Sequence, residues 1–297
     1  MRIRRAIIVV LCLLASASRA QITQEVLGVH DLTPAGGAPV EGSVSASCLY
    51  CHAPHSGIGG MTPLWNQKLS TTTYTPYGST TYNQTANPVP TAAESSTLCL
   101  SCHDGTVAPG TSVAYGKMGV TGTMSSADLF GSNLQGSHPF SFATKIKDSP
   151  DLVATLTTTG QTADTTGAVK LVNGNIECTT CHNAHVQATD KVSQNFLVLD
   201  GSQGRLCLAC HDPTRVTTGQ TNPLAGWTTS IHATASNAVG TTPPVGNYRS
   251  VAQNACMSCH QPHNAPGAAR LLRGPNEQDC IACHNGGSNV SPSLMNV

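Results

Sequence analysis

Six copies of one short pattern constrain this 297-residue chain more than any other feature: two cysteines three positions apart, followed at once by a histidine. Two such cysteines on one helical turn share a face, so their thiols can form thioethers to both vinyl groups of one haem. The adjacent histidine can then bind the iron as its proximal ligand. This spacing is the attachment signature of c-type haem, and it predicts six covalently bound haem c groups with their iron.

The residues of the six copies have two predicted roles. The thioether-forming cysteines are Cys48, Cys51, Cys99, Cys102, Cys178, Cys181, Cys207, Cys210, Cys256, Cys259, Cys280 and Cys283. The proximal iron ligands are His52, His103, His182, His211, His260 and His284. A zinc knuckle and a redox disulfide are the alternatives for a paired cysteine motif. Neither requires a histidine directly after the second cysteine, so the recurring histidine favours haem.

The first 20 residues have the pattern of a secretory signal peptide. Three arginines precede the apolar stretch Ala6 to Ala15, and Ser18-Arg19-Ala20 forms a small-x-small cleavage site. The apolar stretch is too short to span a bilayer, although an uncleaved membrane anchor is the alternative. We expect a signal peptide over 1–20, no transmembrane anchor after cleavage, and an exported protein that is periplasmic or extracellular at the cell surface.

Cysteine and histidine counts agree with six haems. Of the 13 cysteines, Cys12 lies in the predicted signal peptide and the other 12 belong to the motifs, which leaves none for a disulfide. Of the 12 histidines, six lie outside the motifs, one for each vacant axial position. Methionine is the rival sixth ligand, but the methionines have no regular relation to the motifs. The predicted distal iron ligands are therefore His30, His55, His138, His185, His232 and His263.

The motifs and the extra histidines repeat three times along the chain. Each unit has a leading histidine, a first motif that continues as Cys-x-x-Cys-His-x-x-His, and a second motif without the added histidine. The predicted two-haem units are 21–115, 116–222 and 223–297. In each first motif the added histidine follows the proximal one by three residues and emerges on the same side of that haem. It must therefore bind a different iron, most plausibly that of an adjacent haem.

Composition predicts little regular structure. Aromatic residues are 4% and charged residues 10% of the chain, which favours irregular structure in the absence of cofactors. The predicted fold is mostly coil with short α-helices and little β-structure, built around haem, with a longer helix near Glu277 to Asn285. After signal cleavage 11 basic and 15 acidic side chains remain, a balance that favours neither nucleic acid nor an anionic membrane as partner.

These motifs resemble the doubled Cys-x-x-Cys-His family of multihaem cytochromes. The resemblance is carried by Cys48-Leu-Tyr-Cys51-His52-Ala-Pro-His55, Pro63-Leu-Trp-Asn66, Leu98-Cys-Leu-Ser-Cys-His-Asp-Gly105 and His138-Pro-Phe-Ser-Phe142. It covers nearly the whole mature chain, and the short third unit is interpreted as an added repeat. The resemblance implies bis-histidine electron carriers, some of whose relatives polymerise into extracellular filaments.

The predicted function is electron transfer along bis-histidine haems, because two axial histidines leave no iron position for a substrate. The expected partners are redox proteins or extracellular electron acceptors. The alternative is a multihaem reductase with one open haem that acts on a small nitrogen or sulfur oxyanion. A third hypothesis is a filament subunit, a homopolymer in which His30 binds the haem of a neighbouring copy.

Overall fold

The structure is a computed structural model that describes residues 26, 28–60, 64–79, 82, 89–91, 94–143, 149–236, 248–274, 278–281 and 283–284. All twelve histidines and the twelve motif cysteines lie in these ranges. The predicted signal peptide and its Cys12 lie outside them.

Helices in the described part are short. The longest is α1, Ser96–His103, and α2 spans Ala154–Thr159. The other α-helices have four residues each: α3 Cys178–Cys181, α4 Arg205–Leu208, α5 Ile231–Thr234, α6 Val251–Asn254 and α7 Gln278–Ile281. Single 3-10 turns occupy Ser47–Tyr50, Ser126–Asp128, Gln187–Thr189, Ser202–Gly204, Trp227–Thr229, Ala255–Ser258 and Ala268–Arg270. A helix was expected near Glu277 to Asn285. Its described part is α7, and both Glu277 and Asn285 lie outside the described residues.

Two small antiparallel sheets join distant parts of the chain. Strand β1, Val40–Gly42, pairs with β2, Val120–Gly122, and β3, Phe142–Ala143, pairs with β4, Asn175–Ile176. The first pairing crosses the predicted boundary after residue 115, because β2 belongs by sequence to the second unit. Hydrogen bonds between β1 and β2 therefore hold the start of the second predicted unit on the first.

A left-handed residue closes the same turn after each first motif. It is Leu64, Phe196 or Leu271, with φ of 58°, 58° and 55°. Its neighbour pairs with the proximal histidine in an isolated bridge: His52 with Trp65, His182 with Leu197, and His260 with Leu272. The backbone N–H of the residue after that neighbour donates to the backbone carbonyl of the second cysteine of the same motif at 2.8–2.9 Å. A non-glycine residue with positive φ is uncommon, so three in equivalent places mark one recurring turn.

Among the described residues, buried apolar side chains form three small clusters. Tyr74, Leu100, Leu134 and Phe140 form the first cluster. Leu152, Val153 and Leu156 form the second, and Val169, Leu199 and Ala209 form the third. A single fully buried aliphatic side chain contributes about 1.5–3 kcal/mol, so clusters of three or four side chains supply little of what a chain of this length needs to fold.

Buried Glu177 joins the second motif to the third. Its side chain is 2% exposed and caps α3, which carries Cys178, in a reciprocal capping box with Thr180. The same carboxylate accepts hydrogen bonds from the backbone N–H of Ser96 at 3.1 Å, from the Ser96 hydroxyl, and from the Ser141 hydroxyl at 3.1 Å. Ser96 begins α1, so one carboxylate fixes α1 against α3. Burial raises the pKa of Glu177, and these donors partly offset the effect.

Asp190 makes a similar connection between the second predicted unit and the third. It is fully buried and accepts the Tyr248 hydroxyl at 2.7 Å and the backbone N–H groups of Val192, Ser193 and Gly201 at 2.7–3.0 Å. Burial opposes ionisation, but the four donors outweigh it and lower the pKa of Asp190 to about 2. The carboxylate is thus charged at neutral pH and holds the Tyr248 segment in place.

Candidate haem-binding site

Each motif is folded into one closed turn. In five of them the backbone N–H of the histidine donates to the backbone carbonyl of the first cysteine at 2.7–2.9 Å. The sixth motif, at Cys99, is part of α1. An i to i−4 hydrogen bond of this kind is a single α-helical turn. It brings both thiols and the imidazole to neighbouring positions, as attachment of a porphyrin requires.

Hydrogen bonds between described residues orient six of the histidine rings. In each of the six, Nδ1 lies 2.8–3.0 Å from an oxygen that can only accept, so Nδ1 carries the proton and the lone pair is on Nε2. Such a bond to the non-ligating nitrogen is typical of metal-binding histidine. The pairs are His30 with Ala184 O, His103 with Asp128 O, His138 with Pro139 O, His182 with Asn195 O, His211 with Asp151 Oδ2, and His260 with Arg270 O.

Ten of the twelve imidazoles face one another in five pairs. The ring-centre separations are 5.9 Å for His30–His103, 6.3 Å for His52–His185, 6.4 Å for His138–His211, 6.1 Å for His182–His263 and 6.1 Å for His232–His284. Two Nε2 atoms bound to opposite sides of one metal, each at about 2 Å, place the ring centres about 6.2 Å apart. The spacing fits one iron between the rings of every pair.

Every pair joins a motif histidine to one of the six extra histidines. Sequence spacing predicts that His185 and His263 bind a haem other than that of their own motif, and they face His52 and His182. The leading histidine His30 faces His103 of the same chain, in contrast to its suspected role between copies. His55 and His260 are the remaining two, and neither faces another imidazole.

Burial favours the neutral form of two distal histidines. Burial, together with the nearby His211, lowers the pKa of His138 to about 4. Burial and three neighbouring histidines lower that of His263 to about 3. A neutral imidazole is the form that binds metal. Nδ1 of His263 is buried without a hydrogen-bond partner among the described residues, unlike Nδ1 of the six rings named above.

Thiols of successive motifs lie next to one another. Cys99 and Cys178 lie close enough for each thiol to shift the pKa of the other, and so do Cys207 and Cys256. In the same way, and in addition to burial, the thiol of Cys51 raises the pKa of Cys99 and Cys102, that of Cys210 raises the pKa of Cys181, and those of Cys280 and Cys283 raise the pKa of Cys259. The six motifs therefore follow one another in space in the order of the sequence.

A carboxylate supports one proximal histidine. Asp151 Oδ2 accepts from Nδ1 of His211 at 2.8 Å. Burial raises the pKa of Asp151, but the contact with His211 outweighs it and the net pKa is lowered. A cavity of about 300 Å³ lies beside this ring, lined by Val153, Ala163, Leu208, His211, Asp212 and Pro213. Its mostly apolar wall suits a porphyrin edge. The sequence analysis missed Asp151, which lies 60 residues from His211 and has no motif of its own.

Replacing Asp151 with asparagine tests this support. The carboxylate makes the His211 imidazole more basic and electron-rich, which stabilises oxidised iron. In Asp151→Asn we expect the reduction potential of one haem to rise by tens of millivolts (about 1 kcal/mol of charge-assisted hydrogen bonding), as measured by redox titration. Asp212→Asn, on the same cavity wall but with its carboxylate hydrogen-bonded to Thr214 and not to the ring, is the control for the lost charge and should raise that potential by less. Equal shifts in both variants would contradict a specific role for Asp151.

The structure bears on the zinc alternative, whereas the N-terminal segment of the anchor alternative lies outside the described residues. Within the ranges described above, no three histidine, cysteine or acidic side chains converge as they would around a bare metal ion. No described helix is long and apolar enough to cross a bilayer.

Comparison with known proteins points to the same chemistry. The family model for the doubled CXXCH motif matches residues 170–216 and 249–289, each with two complete motifs. The match is narrower than the near-complete resemblance expected from sequence, since it does not include the first two motifs, and it does include the short third unit. A search of the curated proteins finds no match. The chain thus carries doubled CXXCH motifs, the haem c attachment sites of multihaem c-type cytochromes, and these indicate covalent haem and electron transfer.

Proposed function

We propose that this chain is a six-haem c-type cytochrome that passes electrons along a row of bis-histidine haems outside the cytoplasmic membrane. The observation that carries the proposal is the five facing imidazole pairs, each with the spacing of two axial ligands on one iron. Each pair contains one motif histidine, whose neighbouring thiols would bind the porphyrin of the same haem.

The haem groups would supply reversible one-electron chemistry, and the protein would hold the iron ligands in one arrangement during transfer. Nδ1 hydrogen bonds to rigid backbone carbonyls keep rings such as His103 and His182 from turning. The spatial series of motif thiols supports a continuous path rather than isolated haems. Filled axial positions favour electron transfer over bond chemistry.

The unit organisation, location and partners belong to the same proposal. The recurring turn at Leu64, Phe196 and Leu271 supports three two-haem units, with β2 packed on the first unit although it follows residue 115. The basic and apolar N-terminal pattern supports export, to the periplasm or the cell surface. The partners would be redox proteins or extracellular electron acceptors, and a filament of copies would extend the path.

A reductase with one open haem is the second candidate. His260 favours it, since this proximal ring has no facing imidazole and is solvent-exposed. An iron held there by one histidine would have a free position for a small oxyanion. Rapid binding of nitrite to one haem, with turnover, would support this candidate over simple electron transfer.

Electron paramagnetic resonance of the oxidised, haem-loaded protein tests the proposal, with haem content measured in the same sample. Six haems and five low-spin bis-histidine signals are expected, whatever the state of the His260 haem. The ring planes are at 31° and 34° in the two first-motif pairs and at 65°, 66° and 84° in the three second-motif pairs. We therefore expect two rhombic and three strongly anisotropic signals. Fewer than six haems, or more than one high-spin haem, would contradict the assignment.

A further inference from the structure

The five imidazole pairs follow one rule that relates them to the three units. In every unit the leading histidine faces the second-motif histidine of the same unit, as His30 faces His103, His138 faces His211, and His232 faces His284. The histidine added to a first motif instead faces the first-motif histidine of the preceding unit: His185 faces His52, and His263 faces His182. The second contact connects unit to unit along the series.

This rule leaves one added histidine without a facing imidazole at the start of the series, and one motif histidine without a facing imidazole at its end. His55 is the added histidine of the first unit, and no unit precedes that one within these 297 residues. His260 is the first-motif histidine of the third unit, and no unit follows that one within them. The unpaired residues are thus the two complementary halves of the contact that repeats inside the chain.

Both halves are accessible from outside. His260 is exposed, whereas the other five motif histidines are half-buried, and Cys259 beside it is exposed as well. Nδ1 of His260 donates to Arg270 O at 2.9 Å, which leaves Nε2 for iron. His55 is also exposed, on a surface cavity of about 390 Å³ lined by 53–60 and Leu64. This loop carries no charged side chain, so its approach to a second copy meets no like-charge repulsion.

We propose that His55 of one copy is the distal ligand of the haem at His260 in a neighbouring copy, so that the chains join head to tail. The inference rests on the six-haem assignment above. Such a contact uses two different surfaces and is heterologous, so it extends into a filament or closes into a ring. The segment from His52 to His55 would link haems across the junction just as 182–185 and 260–263 link them within one chain. The electron path would then cross from one copy to the next through the same kind of four-residue segment that joins haems within one chain.

Two matched variants of the haem-loaded protein separate this contact from those inside the chain. His55→Ala removes the proposed intermolecular ligand, and His185→Ala removes the equivalent ligand within the chain. Each should convert one haem in six from low-spin to high-spin, measured by electron paramagnetic resonance. Only His55→Ala should abolish assembly in sedimentation and electron microscopy. His55→Met, which keeps a side chain able to bind iron, should restore both the low-spin signal and assembly.

Three results would overturn the proposal. The first is wild-type protein that is monomeric with six low-spin haems. The second is His55→Ala protein in which all six haems remain low-spin, and the third is assembly of His55→Ala that matches wild type. Haem content is measured independently: a chain with fewer than six haems would contradict the proposed function, whereas six haems without the His55 effects would contradict only the intermolecular contact.

Discussion

Without attached haem, the chain is expected to remain unfolded. In the described part of the chain, the clusters of buried apolar side chains have three or four members each, and the helices have eight residues or fewer. Burial of that size does not offset the conformational entropy of the chain, whereas porphyrin would add a large apolar surface at six places. The expected loss is the whole folding free energy, about 5–15 kcal/mol for an ordinary domain.

The measurement compares the chain made in a cytoplasm without haem attachment with the exported, haem-loaded chain. Far-ultraviolet circular dichroism of the haem-free form should show no cooperative thermal transition, and limited proteolysis should degrade it completely. Cys280→Ala with Cys283→Ala, which removes only the last haem, is the control and should leave a cooperative transition. A cooperative transition in the fully haem-free chain would refute the prediction.

Replacing His138 with methionine is expected to raise the reduction potential of one haem by roughly 0.1–0.2 V. His138 faces His211 at a ring separation of 6.4 Å, so a thioether would replace imidazole opposite that proximal ligand. Methionine stabilises reduced iron more than histidine does, which raises the potential. A spectroscopic redox titration should resolve one shifted component among six.

His138→Ala is the matched variant for this prediction. It removes the imidazole without supplying another ligand, so one haem should become high-spin instead of shifting within the low-spin group. The other five haems should be unaffected in both variants, because neither the other four imidazole pairs nor His260 involves His138. Potentials and spin states equal to those of wild type in both variants would show that His138 is not an iron ligand.

Local chemistry could be predicted from sequence because it depends on covalent spacing. Cys178, Cys181 and His182 lie within one helical turn, so five consecutive residues are enough to predict their joint role. The same applies to the rule that His185 must serve another haem, since three residues do not reach around a porphyrin. Low aromatic content likewise predicted little regular structure, and the described helices and strands are short.

Pairing required the tertiary structure, because the partners are far apart in sequence and chemically identical. His52 and His185 are 133 residues apart, and nothing in the sequence says which iron the added histidine reaches. Because it is near the N-terminus, His30 was the expected ligand of a neighbouring copy, whereas His30 faces His103 and His55 has no facing imidazole. Asp151 beside His211, and β2 paired across the predicted unit boundary, are long-range contacts of the same kind. The sequence alone identified the motifs that haem c attachment uses and the histidines that could serve as further ligands, and packing between distant segments decided which of them meet.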